Sequence, residues 1–334
     1  MADKSATIVA DLGFGDAGKG TVIDHLARKG RVAAVVRFNG GAQARHHVVT
    51  PDGRVHGFSQ FGSGTFVPGM RTHLSRFMLV DPQELLIEAL ALTNLGCVNV
   101  FSKLTIDERA LVVTPFNRAA NVIRETMRGD KQHGTCGLGI GETMDLAIED
   151  PRMAITVRDL SSASSLIHKG AAIQDYYYEQ FGPYLGELPG RIRHDYGNML
   201  TQPEYPHLWG RKTAEFANNL TIVPGDHLKQ LSREGDLLFE GAQGVLLDEW
   251  YGFHPYTTWS TTTFENALTL LNEIGYGGPV HKMGVLRAYM TRHGAGPFPT
   301  NDPTLARVLP EAHNNADGWQ GEFRVGWFDT VLAQ

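Results

Sequence analysis

The stretch Gly13-Phe14-Gly15-Asp16-Ala17-Gly18-Lys19-Gly20 decides the fold. An apolar run, residues 6–12, precedes it, and a segment with one apolar face, residues 21–28, follows it. A strand, a glycine-rich turn and a helix start form a phosphate-binding loop, in which backbone N–H groups and the helix dipole hold anionic oxygens. The spacing Gly-x4-Gly-Lys fits such a loop, although Gly20 stands where Ser or Thr ordinarily follows the lysine.

Asp16 is the unusual residue of this loop, because a carboxylate repels the phosphate that the loop is built to attract. The repulsion is relieved if Mg²⁺ lies between the two groups, or if the carboxylate acts chemically on a second substrate. Lys19 would neutralise phosphate charge. The strand, Asp16 and Lys19 together favour a nucleoside triphosphate bound with Mg²⁺.

The composition narrows the function classes. The chain has 334 residues, 42% of them hydrophobic and 20% charged, which is typical of a globular enzyme. A net charge of −6 argues against nucleic acid as a partner. The two cysteines, Cys97 and Cys136, exclude a disulfide framework and suit a reducing compartment. No apolar run has the length of a bilayer. We therefore expect a cytoplasmic protein that binds neither nucleic acid nor membrane.

Apolar segments alternate with amphipathic ones along the chain. Strands are predicted at residues 6–12, 32–38, 110–113, 236–240 and 280–290, a hairpin at 48–60, and helices at 21–28, 82–96 and 116–128. The alternation predicts an α/β fold, a doubly wound, mainly parallel sheet of the P-loop-like nucleotide-binding kind, with ligands at the carboxyl ends of the strands. We expect one domain over residues 1–334, with a helical insertion, a subdomain at the more polar residues 161–235.

Three polar loops are candidates for further chemistry. Arg45-His46-His47 follows the second strand, so the sheet edge would bring it near the first loop. If His46 faces Asp16, the pair offers an acid and a base; the alternative is a solvated or core-bonded histidine. Gly134–Gly141, with Thr135 and Cys136 inside it, is either a second phosphate or sugar loop or a plain glycine-rich turn. The hydroxyl-rich residues 257–263 either bind phosphate or cap a helix beginning near residue 264.

These motifs, in this order, resemble the adenylosuccinate synthetase family over nearly the whole chain. The matching segments are Gly15–Gly20, Arg37–Gly41 with His46, Gly134–Gly141, Phe239–Asp248, Pro255–Thr263, Tyr289–Thr300 and Gly326–Val331. The resemblance implies a two-step ligation. Asp16 acts as base on N1 of a 6-oxopurine nucleotide, His46 stabilises the purine oxygen as it takes the γ-phosphoryl group, and the amine of L-aspartate then displaces phosphate from C6.

The resemblance also implies the roles of individual residues. The catalytic residues are Asp16, His46 and Lys19, and Mg²⁺ is held by Asp16 and the backbone carbonyl of Arg45. The triphosphate is bound by Gly15, Asp16, Ala17, Gly18, Lys19, Gly20 and Thr21. The purine nucleotide is bound by Asn39, Gln43, Thr135, Cys136, Arg152, Gln243 and Thr258. Arg152 reaches the nucleotide of a neighbouring subunit, which implies a homodimer, and Arg324 binds the amino acid.

The chain also departs from the family pattern. Gln43 stands at a position of a usual Asn, and Cys136 replaces one of two threonines. The segment Asn315–Arg324 has one arginine where the family carries several. Family members continue to a Lys-x-Asp segment that recognises guanine, and no segment before Gln334 matches it. The sequence is thus either a truncated or short, divergent member, or one whose donor is not selected as GTP.

Three functions stay open from the sequence. The leading one joins L-aspartate to IMP with GTP as the donor. The second is a viral-type synthetase that uses (d)GMP, with ATP or dATP as the donor. Viral forms of that type replace the loop aspartate with a small residue, so the retained Asp16 favours IMP. The third is a paralogue that binds nucleotides without ligating them.

Overall fold

The first strand, β1 (Ala6–Asp11), is buried along nearly its whole length, as expected for a strand covered on both faces. The computed structural model describes residues 4–309, 311 and 321–334. The other strands are β2 (Val32–Arg37), β3 (His46–Val49), β4 (Val55–Phe58), β5 (Thr72–Leu74), β6 (Leu79–Val80), β7 (Leu104–Asp107), β8 (Leu111–Val112), β9 (Thr221–Val223), β10 (Asp236–Glu240), β11 (Val280–Val285), β12 (Met290–His293) and β13 (Phe323–Gly326).

A seven-stranded sheet in the order β11-β1-β10-β2-β5-β7-β9 forms the centre of the fold. Every pair in it is parallel, which confirms the predicted α/β class. The remaining strands form three pairs: the hairpin β3–β4, the parallel pair β6–β8 and the antiparallel pair β12–β13. Because β1, β10 and β2 are neighbours, the loops that follow these three strands meet at one edge of the sheet.

Helices cover the sheet. They are α1 (Lys19–Lys29), α2 (Pro82–Asn94), α3 (Pro115–Arg128), α4 (Ile140–Glu149), α5 (Ala163–Phe181), α6 (Gly190–Ile192), α7 (Asn198–Thr201), α8 (Tyr205–Ala217), α9 (His227–Glu234), α10 (Glu265–Glu273) and α11 (Pro303–Val308). The start of α2 follows from its sequence: the Asp81 side chain accepts hydrogen bonds from the backbone of Gln83 and Glu84, and Pro82 opens the helix. Among the described residues, no helix has both the length and the apolar character to cross a membrane.

Two predicted strands are present, but their bounds were wrong. Residues 280–290 form two strands, because the chain bends after β11 and sends β12 to pair with β13 outside the central sheet. The strand predicted at residues 110–113 shrinks to β8, which pairs with β6. The strand of this region that lies in the central sheet is β7. It has four residues and is too short to be recognised from the sequence pattern.

Residues 161–235 contain the helices α5 to α9 and also β9, which pairs with β7 at the sheet edge. Leu166 and Ile173 of α5 lie in the same hydrophobic core as Leu74 and Ile106 of the sheet. A shared core favours a single domain, and β9 favours an end of the helical insertion before residue 221. The boundaries of this subdomain stay a prediction.

His73 on β5 makes stability depend on pH. Its ring is 1% exposed, and Nδ1 lies 3.0 Å from the Thr105 hydroxyl. Burial lowers its pKa from 6.5 to about 4. Between these two values the unfolded chain binds a proton that the folded chain does not. The contribution of His73 to stability is therefore lost as the pH falls through this window.

We expect the free energy of unfolding to fall by about 2 kcal/mol between pH 7 and pH 5 through His73. Urea titrations of the wild type and of His73→Gln at both pH values measure this contribution, and the variant should show the smaller decrease. His207→Gln, at an exposed position, is the control. An equal decrease in wild type and His73→Gln would contradict the assignment.

Candidate active site

The carboxylate of Asp11, at the end of β1, organises the glycine-rich loop. Its Oδ1 accepts hydrogen bonds from the backbone N–H groups of Gly13 (2.9 Å) and Gly15 (3.3 Å), and Oδ2 accepts one from Ala17 (2.8 Å). The Lys19 ammonium lies 3.1 Å from Oδ2 and donates to the Gln243 carbonyl at 2.7 Å. Lys19, expected to bind phosphate, is thus buried against a carboxylate of the loop's own strand.

The packing around Gly20 explains why this position of the loop does not carry Ser or Thr. A Cβ added there would lie 2.8 Å from the Cβ of His46 and 3.1 Å from the Ser63 hydroxyl. These distances leave no room for a side chain, so glycine allows β3 to approach the first turn of α1. The close approach brings His46 beside the loop, as the sequence predicted.

His46 is paired with Glu240, the last residue of β10. Nδ1 of His46 donates to Oε1 of Glu240 at 2.5 Å, and the Ser63 backbone donates to Oε2 at 2.9 Å. Burial lowers the pKa of His46, against the opposing effect of Glu240. Burial alone would raise the pKa of Glu240, but the His46 hydrogen bond and the buried Arg37 lower it to about 2. His46 is therefore held through Nδ1 by an ionised carboxylate.

Asp16 pairs with a different histidine. Its φ is +60°, its side chain keeps 40% exposure, and its Oδ2 accepts a hydrogen bond from Nε2 of His293 at 3.0 Å. Burial raises the pKa of Asp16, but the hydrogen bond and charge of His293 and the charge of Lys19 outweigh it, so the pKa lies below its ordinary value. Asp16 is an ionised, accessible carboxylate at the tip of the loop, suited to accept a proton or bind a cation.

The predicted nucleotide contacts Gln43 and Gln243 lie on neighbouring loops. Gly40 is close to the Gln243 amide, and Gly41 is close to the Gln43 oxygen. Both Gln43 amide atoms and the Gln243 oxygen are buried without a hydrogen-bond partner among the described residues. Such groups are costly unless a ligand satisfies them. Asn39 differs, since its amide exchanges two hydrogen bonds with the Ala242 backbone and so braces the Gln243 loop.

The second glycine-rich loop is also organised by a carboxylate. Glu125, 1% exposed, accepts backbone N–H bonds from His133 and Gly134 at 3.1 Å and from Thr135 at 3.5 Å. The Thr135 hydroxyl donates to Asn121 at 3.2 Å, and Cys136 follows in the same loop.

This loop lies beside the hydroxyl-rich loop that carries Thr258. The rings of His133 and Tyr256 are 6.4 Å apart, and Gly141 contacts Trp259. Thr258 donates its backbone N–H to the Leu247 carbonyl at 2.8 Å. The helix near residue 264 begins at Glu265, whose backbone N–H donates to the Thr263 hydroxyl at 3.4 Å.

Two arginines face each other on the pair β12–β13. Arg324 is the register partner of Arg292, and its guanidinium donates to the carbonyls of Gly294 (2.6 Å) and Gly296 (3.0 Å). Burial and the charge of Arg324 lower the pKa of Arg292 to about 10. Arg324 is the single arginine of the segment Asn315–Arg324. It therefore has the guanidinium of Arg292 beside it. Residues 315–320 of the same predicted segment lie outside the described residues.

Arg152 lies apart from these loops. Its side chain is 89% exposed and is held by Asp150 at 2.8 Å. The remaining predicted triphosphate-binding residues lie in the loop or at the start of α1. The backbone N–H of Ala17 donates to Asp11, Gly18 has φ +88° just before α1, and Thr21 lies in the first turn of α1. Arg45 is exposed just before β3.

Sequence reasoning missed the roles of Asp11, Glu240 and His293. Asp11 and Glu240 carried a signal, since each is a carboxylate at the carboxyl end of a strand, directly after mostly apolar residues. Buried charges of this kind are paired, so each predicts a partner. His293 carried no such signal in the sequence, because its partner Asp16 lies 277 residues away.

Gly20→Ala tests the close approach of β3 to α1. Helix propensity alone favours Ala by about 1 kcal/mol, but the contact with His46 should reverse the sign and cost about 1–3 kcal/mol of unfolding free energy. Urea unfolding measures the change. Gly186→Ala, where an added Cβ meets no atom within 4 Å, is the control. A Gly20→Ala protein at least as stable as the wild type would contradict the packing.

Comparison with known proteins identifies the family. The family model for adenylosuccinate synthetase matches residues 8–334. The chain is 32% identical over 333 residues to the adenylosuccinate synthetase of Shouchella clausii, covering 99% of this chain and 73% of that protein. It is 32% identical over 332 residues to the one of Clostridium botulinum strain 657, covering 98% and 73%.

Two solved structures share the fold. Fully ligated adenylosuccinate synthetase from Plasmodium falciparum has a TM-score of 0.76 at 22% identity, covering 98% of this chain and 72% of that one. The succinoaminodeoxyadenylate synthetase of cyanophage S-2L, bound to dGMP and dATP, has a TM-score of 0.58 at 18% identity, covering 99% and 80%. With the matches in sequence, the chain belongs to the adenylosuccinate synthetase family, whose members are carbon–nitrogen ligases.

Proposed function

We propose that this chain condenses L-aspartate with IMP through a 6-phosphoryl intermediate, using a nucleoside triphosphate. Family membership supports the reaction type. The structural observation that carries the proposal is that Asp16 and His46 flank one phosphate-binding loop, Asp16 at its exposed tip and His46 against Gly20. A base and an oxyanion-stabilising group beside a phosphate loop are what transfer of a phosphoryl group to a purine oxygen requires.

The first step would activate the purine. Asp16 accepts the proton of N1, O6 attacks the γ-phosphorus, and the bond to the β-γ bridging oxygen breaks to release the diphosphate. Nε2 of His46 lies on the side of the ring away from Glu240 and would meet the charge that develops on O6. Lys19 would stabilise the phosphates from its position beside Asp11.

The second step would form the carbon–nitrogen bond. The amine of L-aspartate attacks C6, inorganic phosphate leaves with the former O6, and the amine loses a proton. The guanidinium of Arg324 offers positive charge of the kind that a dicarboxylate requires, and Arg292 is its neighbour across the strand pair. We assign Arg324 to the amino acid, with Arg292 as the buried support of that strand pair.

Members of the family use GTP and Mg²⁺, and the donor groups here fit that ion. No group of three or more His, Cys, Asp or Glu that could hold a metal occurs in the described ranges. Mg²⁺ in phosphoryl-transfer sites is bound by one or two carboxylates together with phosphate oxygens and water. Asp16 and the backbone carbonyl of Arg45 would supply the protein ligands, and the ion would neutralise charge on the transferred phosphate.

Two alternatives remain. The cyanophage protein was solved with dGMP and dATP, but it resembles this chain less closely than the Plasmodium falciparum enzyme does. We therefore propose IMP as the acceptor and GTP as the donor, with (d)GMP and ATP or dATP as the alternative. A paralogue that binds nucleotides without joining them is the other alternative. The products of a mixed incubation separate all three.

We expect adenylosuccinate when the protein is incubated with pooled purine monophosphates, amino acids and triphosphates and the products are read by mass spectrometry. Phosphate release should require all three substrates. Asp16→Asn should lower the rate about 10³-fold, as expected for loss of a general base. Asp175→Asn, at an exposed position of α5, is the matched control. Nucleotide binding without any condensed product would reject the ligase, and a product from dGMP alone would select the alternative acceptor.

We also propose a homodimer in which Arg152 reaches the nucleotide of the neighbouring subunit. The proposal is supported by the exposed guanidinium of Arg152. This group is held by Asp150 and has no hydrogen bond or ion pair with the loops of its own chain among the described residues. Arg152→Ala and Asp16→Asn, each inactive alone, should recover about a quarter of wild-type activity after subunit exchange, because half the dimers then hold one intact site. A monomer by light scattering, or a mixture as inactive as its components, would refute this arrangement.

A further inference from the structure

The contact between Asp16 and His293 joins the exposed phosphate loop to the strand pair β12–β13. Nε2 of His293 lies 3.0 Å from Oδ2 of Asp16. A carboxylate accepts hydrogen bonds, so Nε2 carries the proton and donates. The contact leaves Oδ1 of Asp16, and the second lone pair of Oδ2, for a ligand.

His293 is held on a rigid support. It is the register partner of Phe323, and the two rings lie 4.8 Å apart. The preceding residue, Arg292, is 1% exposed and donates to the backbone carbonyls of Ala295 (3.1 Å) and Pro297 (3.0 Å). The imidazole therefore has little freedom to follow a moving partner. It is Asp16 that the contact restrains.

Asp16 needs such a restraint. It has a left-handed backbone conformation, lies in a loop and keeps 40% of its side chain exposed. A carboxylate of this kind has several rotamers available, and fixing one of them costs conformational entropy. A base that is already fixed in a productive orientation has lost this freedom before the substrate arrives.

The other nitrogen of His293 shows that the ring is not part of a structural network. Nδ1 is buried and has no hydrogen-bond partner among the described residues. Leaving a buried polar atom unpaired costs its lost hydration. Phenylalanine at this position would pack on Phe323 without that cost. Among the described residues the imidazole is hydrogen-bonded to Asp16 alone, so that contact is what distinguishes histidine from a purely apolar residue here.

We propose that His293 is the positioning residue for Asp16. Its Nε2–H group holds Oδ2, and the carboxylate then presents Oδ1 to the N1 proton of the purine. This inference rests on the proposed function, in which Asp16 is the base. His293 touches neither substrate nor transferred phosphate in this scheme and acts through Asp16 alone.

The test compares variants that keep or remove the donated hydrogen bond. His293→Phe keeps the ring on Phe323 but has no N–H group, whereas His293→Gln keeps a donor. Exchange of the β-γ bridging oxygen of ¹⁸O-labelled GTP, with IMP present and aspartate omitted, isolates the first chemical step. Steady-state kcat and KM for GTP complete the measurement. His207→Phe, at an exposed position of α8, is the control.

We expect His293→Phe to lower both the isotope exchange and kcat by about 10- to 100-fold, with KM for GTP changed by less than about threefold. His293→Gln should recover most of the lost rate. Unchanged exchange in His293→Phe, or an equal loss in His293→Gln, would overturn the inference. If His293→Phe does not fold, the comparison of His293→Gln with His293→Met answers the same question.

Asp16→Asn separates this inference from the proposed function. If Asp16→Asn supports no exchange while His293→Phe exchanges at the wild-type rate, only the role of His293 fails. If Asp16→Asn exchanges at the wild-type rate, the assignment of Asp16 as base fails, and the inference about His293 fails with it.

Discussion

The ion pair between Asp11 and Lys19 is the constraint on which the rest of the site depends. Both side chains are almost fully buried, and Asp11 also binds three backbone N–H groups of the loop. Removing one partner of a buried pair costs about 3–5 kcal/mol, because the other charge is then left unpaired. The loop therefore has its shape before any nucleotide binds. That shape leaves Asp16, the one carboxylate of the loop, facing outward.

Buried carboxylates organise the other loops in the same way. Glu240 holds His46 and Ser63, Glu125 gathers the second glycine-rich loop, and Asp248 accepts N–H bonds from Trp250, Tyr251 and Thr262. Each anion satisfies backbone groups that would otherwise be unpaired in a turn. Charge in this site thus serves two purposes: buried carboxylates fix loops, and the accessible Asp16 is available for chemistry.

The sequence predicted the features that depend on local patterns. The glycine-rich loop between β1 and α1, the cap of α2 and the alternation of strands and helices follow from spacing and residue type within short segments. The pairing of Asp16 with His293 and of His46 with Glu240 did not follow, because these contacts join residues 277 and 194 positions apart. They depend on the strand order β11-β1-β10-β2, which alternation alone does not specify. The sequence also did not predict that residues 280–290 belong to two strands, because the alternation of elements does not specify which strands pair.

In the proposed reaction, O6 of a purine nucleotide takes the γ-phosphoryl group before the amino acid displaces it. Incubation with IMP labelled with ¹⁸O at position 6, aspartate and GTP measures this transfer directly, with the released phosphate read by mass spectrometry. We expect one ¹⁸O atom in each phosphate that accompanies product. Unlabelled phosphate, formed by attack of water on the triphosphate, would contradict it.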